Sequence, residues 1–170
     1  MAVASKMVCQ VALIVEDLDK IVAHYRETFG LPEPNVFFLP KADAVPAFMD
    51  GKPGDYSDCR MAVFELENLV LEIVQPGAGD SPWRRWMDAH GPGVQHLGFM
   101  IPEANKAEAF RALEKTGSGM YHAGFYPDLT YTFVDGFDAF GVDFNIKWKT
   151  DNRARIAHML ANPRQDLTDL

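Results

Sequence analysis

Cysteine is scarce in this chain of 170 residues: Cys9 and Cys59 are the only two. Neither belongs to a C-x-x-C pair, which excludes a zinc ribbon. Both sit in strand-like apolar runs and read as reduced core thiols, which fits a cytoplasmic setting. Long hydrophobic runs are missing too. No stretch approaches the length of a membrane span, and the opening Met-Ala-Val-Ala-Ser-Lys-Met has no apolar signal core. Positive charge is in short supply, with 16 Lys and Arg against 24 Asp and Glu and a net charge of -8. An acidic surface argues against nucleic acid or an anionic membrane as the main partner. A local basic pocket for an anionic small molecule stays compatible with it.

What is present suits a folded domain, with 48% hydrophobic and 12% aromatic residues. One strand-then-helix unit occurs twice. Strand Met7 to Val15 leads into a helix from Leu18 to Phe29, with Asp17 as its cap and Gly30 as its stop. Strand Val94 to Ile101 leads into a helix from Glu103 to Lys115. Overlaying the two sets Gln10 on His96. Short strands follow each unit: Val36 to Leu39, Arg60 to Leu66 and Leu69 to Gln75, then Met120 to Tyr126, Leu129 to Val134 and Val142 to Trp148. Lys41 to Asp58 reads as a loop, either a pocket wall or a surface insertion. Between the halves, Ser81 and Pro82 start a short helix whose Trp83 and Trp86 cap the core. The pattern predicts two modules, residues 7–76 and 93–149, joined by a linker at 77–92. A C-terminal helix and frayed tail occupy 150–170.

Each half offers polar residues at matched points. Gln10 and His96 lie on the first strands, and Glu72 and Asn145 on the last. Glu72 interrupts an apolar strand, where an unpaired carboxylate is costly to bury, so it calls for a metal ion or a basic partner. Asn145 shares a strand face with Asp143 and Lys147.

These features resemble the vicinal oxygen chelate superfamily, nearest its glyoxalase and methylmalonyl-CoA epimerase branch. The carriers are residues 11–19, Tyr25 to Leu31, Leu69 to Pro76, Ser81-Pro82-Trp83, Gly91 to Gly98, Phe133-Val134-Asp135 and Gly141 to Ile146. The resemblance implies an α+β fold of two βαβββ modules forming a cup-shaped half-barrel over residues 7–149. It also implies a homodimer and a divalent metal ion (Zn, Ni, Co, Mn or Fe) on Gln10, Glu72, His96 and Asn145. The branch carries Glu at the fourth place, commonly as the proton-transferring base, and Asn145 cannot act as a base near neutral pH. Asp143, on the same face, and His122, on another sheet strand, are the candidate replacements. With one His at a ligand place, oxygen-activating iron chemistry is not expected.

Arg60 is a candidate for a substrate carboxylate or phosphate, with a solvated edge residue as the equal alternative. Tyr121 and Tyr131 are candidate donors to a bound carbonyl. Two function classes remain open. One is a metal-dependent enzyme that stabilises an enolate from a small carbonyl or acyl compound, by isomerase, epimerase or lyase chemistry. The other is a metal-free protein that binds or sequesters a small molecule in the same cup.

Overall fold

Alternation and capping set the elements of the computed structural model, which describes residues 5–162; the expected tail beyond Asn162 lies outside the described residues. In β1 (Gln10–Ile14), Gln10, Ala12 and Ile14 are buried on one face, while Val11 and Leu13 turn to the other and pack against a helix. That helix is α1 (Leu18–Phe29). The Asp17 side chain accepts from the Lys20 amide at its start. Gly30, at φ 66°, ends it by donating its N–H to the Arg26 carbonyl. The left-handed conformation there is one that glycine adopts without strain.

The strands that follow are β2 (Asn35–Phe38), β3 (Ala47–Met49), β4 (Lys52–Gly54), β5 (Arg60–Glu65) and β6 (Val70–Gln75). Helix α2 (Pro82–His90) crosses to β7 (Gly93–Met100). A single 3-10 turn and α3 (Lys106–Glu114) then lead to β8 (Met120–Tyr126), β9 (Leu129–Val134), the short α4 (Phe137–Phe140), β10 (Asp143–Lys149) and α5 (Arg153–Ala161). All ten strands join one curled sheet in the order β2-β5-β6-β1-β7-β10-β9-β8-β3-β4.

The eight strands from β2 to β8 in this order are symmetric about the β1–β7 pair, and β3 and β4 extend one edge. β1 pairs antiparallel with β7, and each first strand is flanked by the last strand of its own half, in parallel. Helix α1 covers the outer faces of β5 and β6, and α3 packs behind β10. The opposite faces form a concave interior that Trp83 and Trp86 of α2 enter, against Ile14, Met61, Val74 and Phe133. This is the half-barrel that the resemblance implied. Among the described residues no helix is long and apolar enough to cross a membrane.

Residues 41–58, read from the sequence as a loop, contain a β-hairpin. Met49 pairs with Lys52 across Asp50 and Gly51, both at positive φ (51° and 73°). Its first strand, β3, adds to the edge of β8, and all three of its residues are buried. The segment therefore walls the second half's side of the cup. The short α4 was also not anticipated; Gly136 precedes it and Gly141, at φ 77°, closes it.

Candidate active site

Sheet parity brings the polar residues of four central strands together. Gln10, Glu72, His96 and Asn145 all lie on concave faces, with Lys147 beside Asn145 on β10. Gly98 lies opposite Gln10 across the β1–β7 pair. A methyl there would come within 2.6 Å of the Gln10 Cβ, so the missing side chain lets Gln10 settle into the floor.

His96 is fully buried. Its Nδ1 lies 3.1 Å from Gln95 Oε1, an atom that only accepts, so the ring proton is on Nδ1 and Nε2 keeps its lone pair. That lone pair faces the Gln10 amide nitrogen at 3.0 Å and the Asn145 amide nitrogen at 3.4 Å. Burial, helped by the nearby Lys147 charge, pushes the His96 pKa well below its usual value, so the ring is neutral. Glu72 Oε2 is 4.0 Å from His96 Nε2 and accepts a hydrogen bond from the Gln10 amide. Lys147 Nζ donates to the other end of that amide, the Gln10 oxygen. Gln10 thus stands between a cation and an anion. Burial raises the Glu72 pKa and the Lys147 charge opposes the rise.

A cavity of about 160 Å³ opens over this floor. Glu72, Asn145 and Lys147 face it, and Tyr126, Tyr131, Phe133 and Trp83 form its walls. Tyr131 can lie flat there because Gly124 has no side chain: a methyl would fall 2.2 Å from the Tyr131 ring. Burial holds the Tyr131 phenol well above its usual pKa, so it stays a neutral donor. Asn145 Oδ1 is buried without a hydrogen-bond partner. A buried acceptor with no partner is a costly feature of this floor.

Four expected site residues lie elsewhere. Arg60 donates two hydrogen bonds to Asp19, at 2.9 and 2.8 Å, on the outer surface. Its strand parity explains this, since Ala62 and Phe64 on the same face pack towards α1. Asp143 accepts from the Tyr121 hydroxyl at 2.8 Å and the Gly136 amide at 3.0 Å. Both Asp143 and Tyr121 line a separate cavity of about 310 Å³ beneath α2, so Asp143 does not pair with Lys147. His122 is fully buried among Phe133, Tyr131, Tyr56 and Trp83, and burial lowers its pKa to about 3. It lines neither cavity and is in no position to exchange a proton with a ligand. Two wall residues had been passed over, Lys147 as a ligand contact and Tyr126 altogether. Lys147 was legible as the residue two places after Asn145, on the same strand face.

The donor set does not suit a divalent ion. Glu72 is its one carboxylate, and among the described residues no three His, Cys, Asp or Glu side chains gather to hold a metal. Lys147 uses the Gln10 oxygen, the atom a metal would need. Reversing that amide would set its N–H groups against the ammonium and its oxygen against the Glu72 carboxylate, so the two charges fix its orientation. The His96 lone pair therefore meets amide N–H groups from Gln10 and Asn145.

A family model described as the Glyoxalase/Bleomycin resistance protein/Dioxygenase superfamily matches residues 9–128. Among curated proteins none matches the chain by sequence. Solved structures share its fold. A hypothetical protein of Bacillus halodurans has a TM-score of 0.59 at 15% identity, over 85% of this chain and 94% of its own. Methylmalonyl-CoA epimerase from Mycobacterium tuberculosis has a TM-score of 0.57 at 18% identity, over 91% and 97%. A methylmalonyl-CoA epimerase in complex with methylmalonyl-CoA and NH4+ has a TM-score of 0.57 at 17% identity, over 84% and 93%.

Proposed function

Because the chain belongs to the glyoxalase, bleomycin resistance protein and dioxygenase superfamily, we propose that its smaller cavity binds a small acyl or carbonyl compound and stabilises an enolate-type intermediate. The reaction class is isomerase, epimerase or lyase chemistry. The observation that carries this reading is Glu72, a carboxylate with 17% of its side chain exposed, facing a cavity with aromatic walls. Burial raises its proton affinity, against the opposing pull of the Lys147 charge, in the direction a proton-transferring carboxylate needs. In the proposed step Glu72 removes the proton α to a carbonyl. Donors on the cavity wall meet the charge that develops on the carbonyl oxygen. Tyr131 and Tyr126 supply neutral donors and, with Phe133 and Trp83, keep water from the intermediate. Asn145 takes no proton; its amide nitrogen faces His96 Nε2 at 3.4 Å.

Superfamily members commonly use divalent metals, but the donor set of this chain does not suit one, and no step of the proposed reaction passes through one. A cytoplasmic setting is supported by the two unpaired cysteines. A homodimer fits the exposed Val36 and Phe38 on the edge strand β2.

The test is α-proton exchange in heavy water, read by mass spectrometry. The probes are methylmalonyl-CoA, suggested by the epimerase neighbours, and a short acyl thioester that fits the cavity. Wild type should incorporate deuterium at the α-carbon, and Glu72→Gln should slow this by about 100-fold or more. Exchange that survives Glu72→Gln overturns the assignment of the base. Tight binding with no exchange would assign the cup to sequestering its ligand.

A further inference from the structure

The polar floor combines two departures from the metal site that the resemblance implies. The fourth place has an amide, Asn145, instead of a carboxylate, and two residues along the same strand face stands a lysine. Lys147 reaches inward over the floor. Its ammonium donates to Gln10 Oε1, and Gln10 in turn donates to Glu72. Lys147 also lines the cavity alongside Glu72 and Asn145. We propose that the Lys147 ammonium takes the place of a divalent ion in this cup, excluding metal and acting as the electrophile for a ligand oxygen.

Charge and donor type both support this. A four-donor set with two carboxylates neutralises a divalent ion, whereas Glu72 alone balances a single positive charge, which is what one ammonium brings. An ammonium has three N–H donors and no acceptor, so it can serve Gln10 Oε1 and still present a proton to a ligand oxygen in the cavity. A metal on the same floor would face that ammonium at short range, with no second anion to offset the repulsion. The small, strongly hydrated point charge of lysine suits a carbonyl or carboxylate oxygen, where no planar fork has to be matched. The ligand class is therefore a small anion or polarised carbonyl with an oxygen at Lys147. This inference rests on the proposed function for its choice of cavity.

The experiment needs no turnover. Full-length protein, prepared without affinity metal, is titrated calorimetrically with Ni²⁺, Zn²⁺ and Mn²⁺, and separately, after chelator treatment, with oxalate as a planar probe with adjacent oxygens. The proteins are wild type, Lys147→Met and Lys147→Gln, each checked by circular dichroism, so that one uncharged variant suffices if the other fails to fold. Wild type should show no stoichiometric metal binding, and the uncharged variant should bind at least one of the ions 10-fold or more tightly than wild type. Oxalate should bind wild type without metal and bind the variant at least 10-fold more weakly. Metal binding by wild type as tight as in the variant overturns the proposal, and so does metal binding by neither. Oxalate binding that is absent from wild type or indifferent to Lys147 overturns it as well. Failure of the proposed function looks different: Lys147-dependent oxalate binding with no α-proton exchange on any acyl probe.

Discussion

Gly98 is where the two halves and the polar floor meet, and replacing it with alanine tests that junction. The added Cβ would lie 2.6 Å from the Cβ of Gln10, its partner across the β1–β7 pair, and 3.3 Å from Gln10 Oε1. Both Cβ atoms are fixed to backbone, so no rotamer change relieves the overlap. Restoring an ordinary contact requires the two first strands to part by roughly 1 Å, against neighbours packed at interior density. Overpacking of this kind costs about 1–3 kcal/mol. At 2–4 °C per kcal/mol for a chain of this size, the melting temperature should fall by roughly 2–12 °C. Urea unfolding followed by far-ultraviolet circular dichroism measures the loss. Gly119→Ala is the control, because its methyl meets nothing within 4 Å and the backbone there has no positive φ. The decisive comparison is a double-mutant cycle with Gln10→Gly, which removes the opposing Cβ. Gly98→Ala should then cost much less than in the wild-type background. An equal cost in both backgrounds would refute the steric argument.

Two further substitutions test the core and the outer face. Phe133→Ala removes a ring that is 1% exposed and lies 4.8 Å from the rings of both His96 and His122. It should cost about 3–5 kcal/mol in urea unfolding, and a loss below about 1 kcal/mol would show that the interior is not packed around this ring. Arg60→Ala should leave oxalate affinity and α-proton exchange unchanged, because its guanidinium is held by Asp19 outside the cup. A tenfold loss of either would return Arg60 to the site.

The outer faces of the fold were legible because period and capping agreed there. Helix α1 runs from Leu18 to Phe29 in both readings, since Asp17, the apolar spacing and Gly30 all mark the same ends. The β3–β4 hairpin was overlooked despite a strong local signal. Asp50-Gly51 is a dipeptide that favours the positive-φ two-residue turn, and it stands between short runs that can pair. The prolines at 46 and 53 outweighed it, although proline is tolerated in an edge strand such as β4. For Arg60 the alternation with Ala62 and Phe64 favours the second of its two readings, a solvated residue on the helix side. His122 shows a different limit. Its strand was legible and its inward face was not in error, but Trp83, Tyr56 and Phe133 fill the space in front of it. Which inward side chains reach a cavity depends on how far α2 enters the cup, and no local pattern encodes that.

β10 is the strand on which the proposed chemistry turns. Its outward residues Phe144, Ile146 and Trp148 belong to the packing against α3, and that requirement sets its register. Asp143, Asn145 and Lys147 are then obliged to face inward at successive depths. Asp143 is taken up by Tyr121 and Gly136 in one cavity, while Asn145 and Lys147 face the other. A carboxylate at 145 would add a second anion to the floor and compete with the Gln10 oxygen for Lys147. An amide at 145 leaves the ammonium directed at Gln10 and open to a ligand. Read in this way, the missing carboxylate and the inward lysine are two parts of one arrangement, in which charge balance selects a monovalent cation carried by the chain itself.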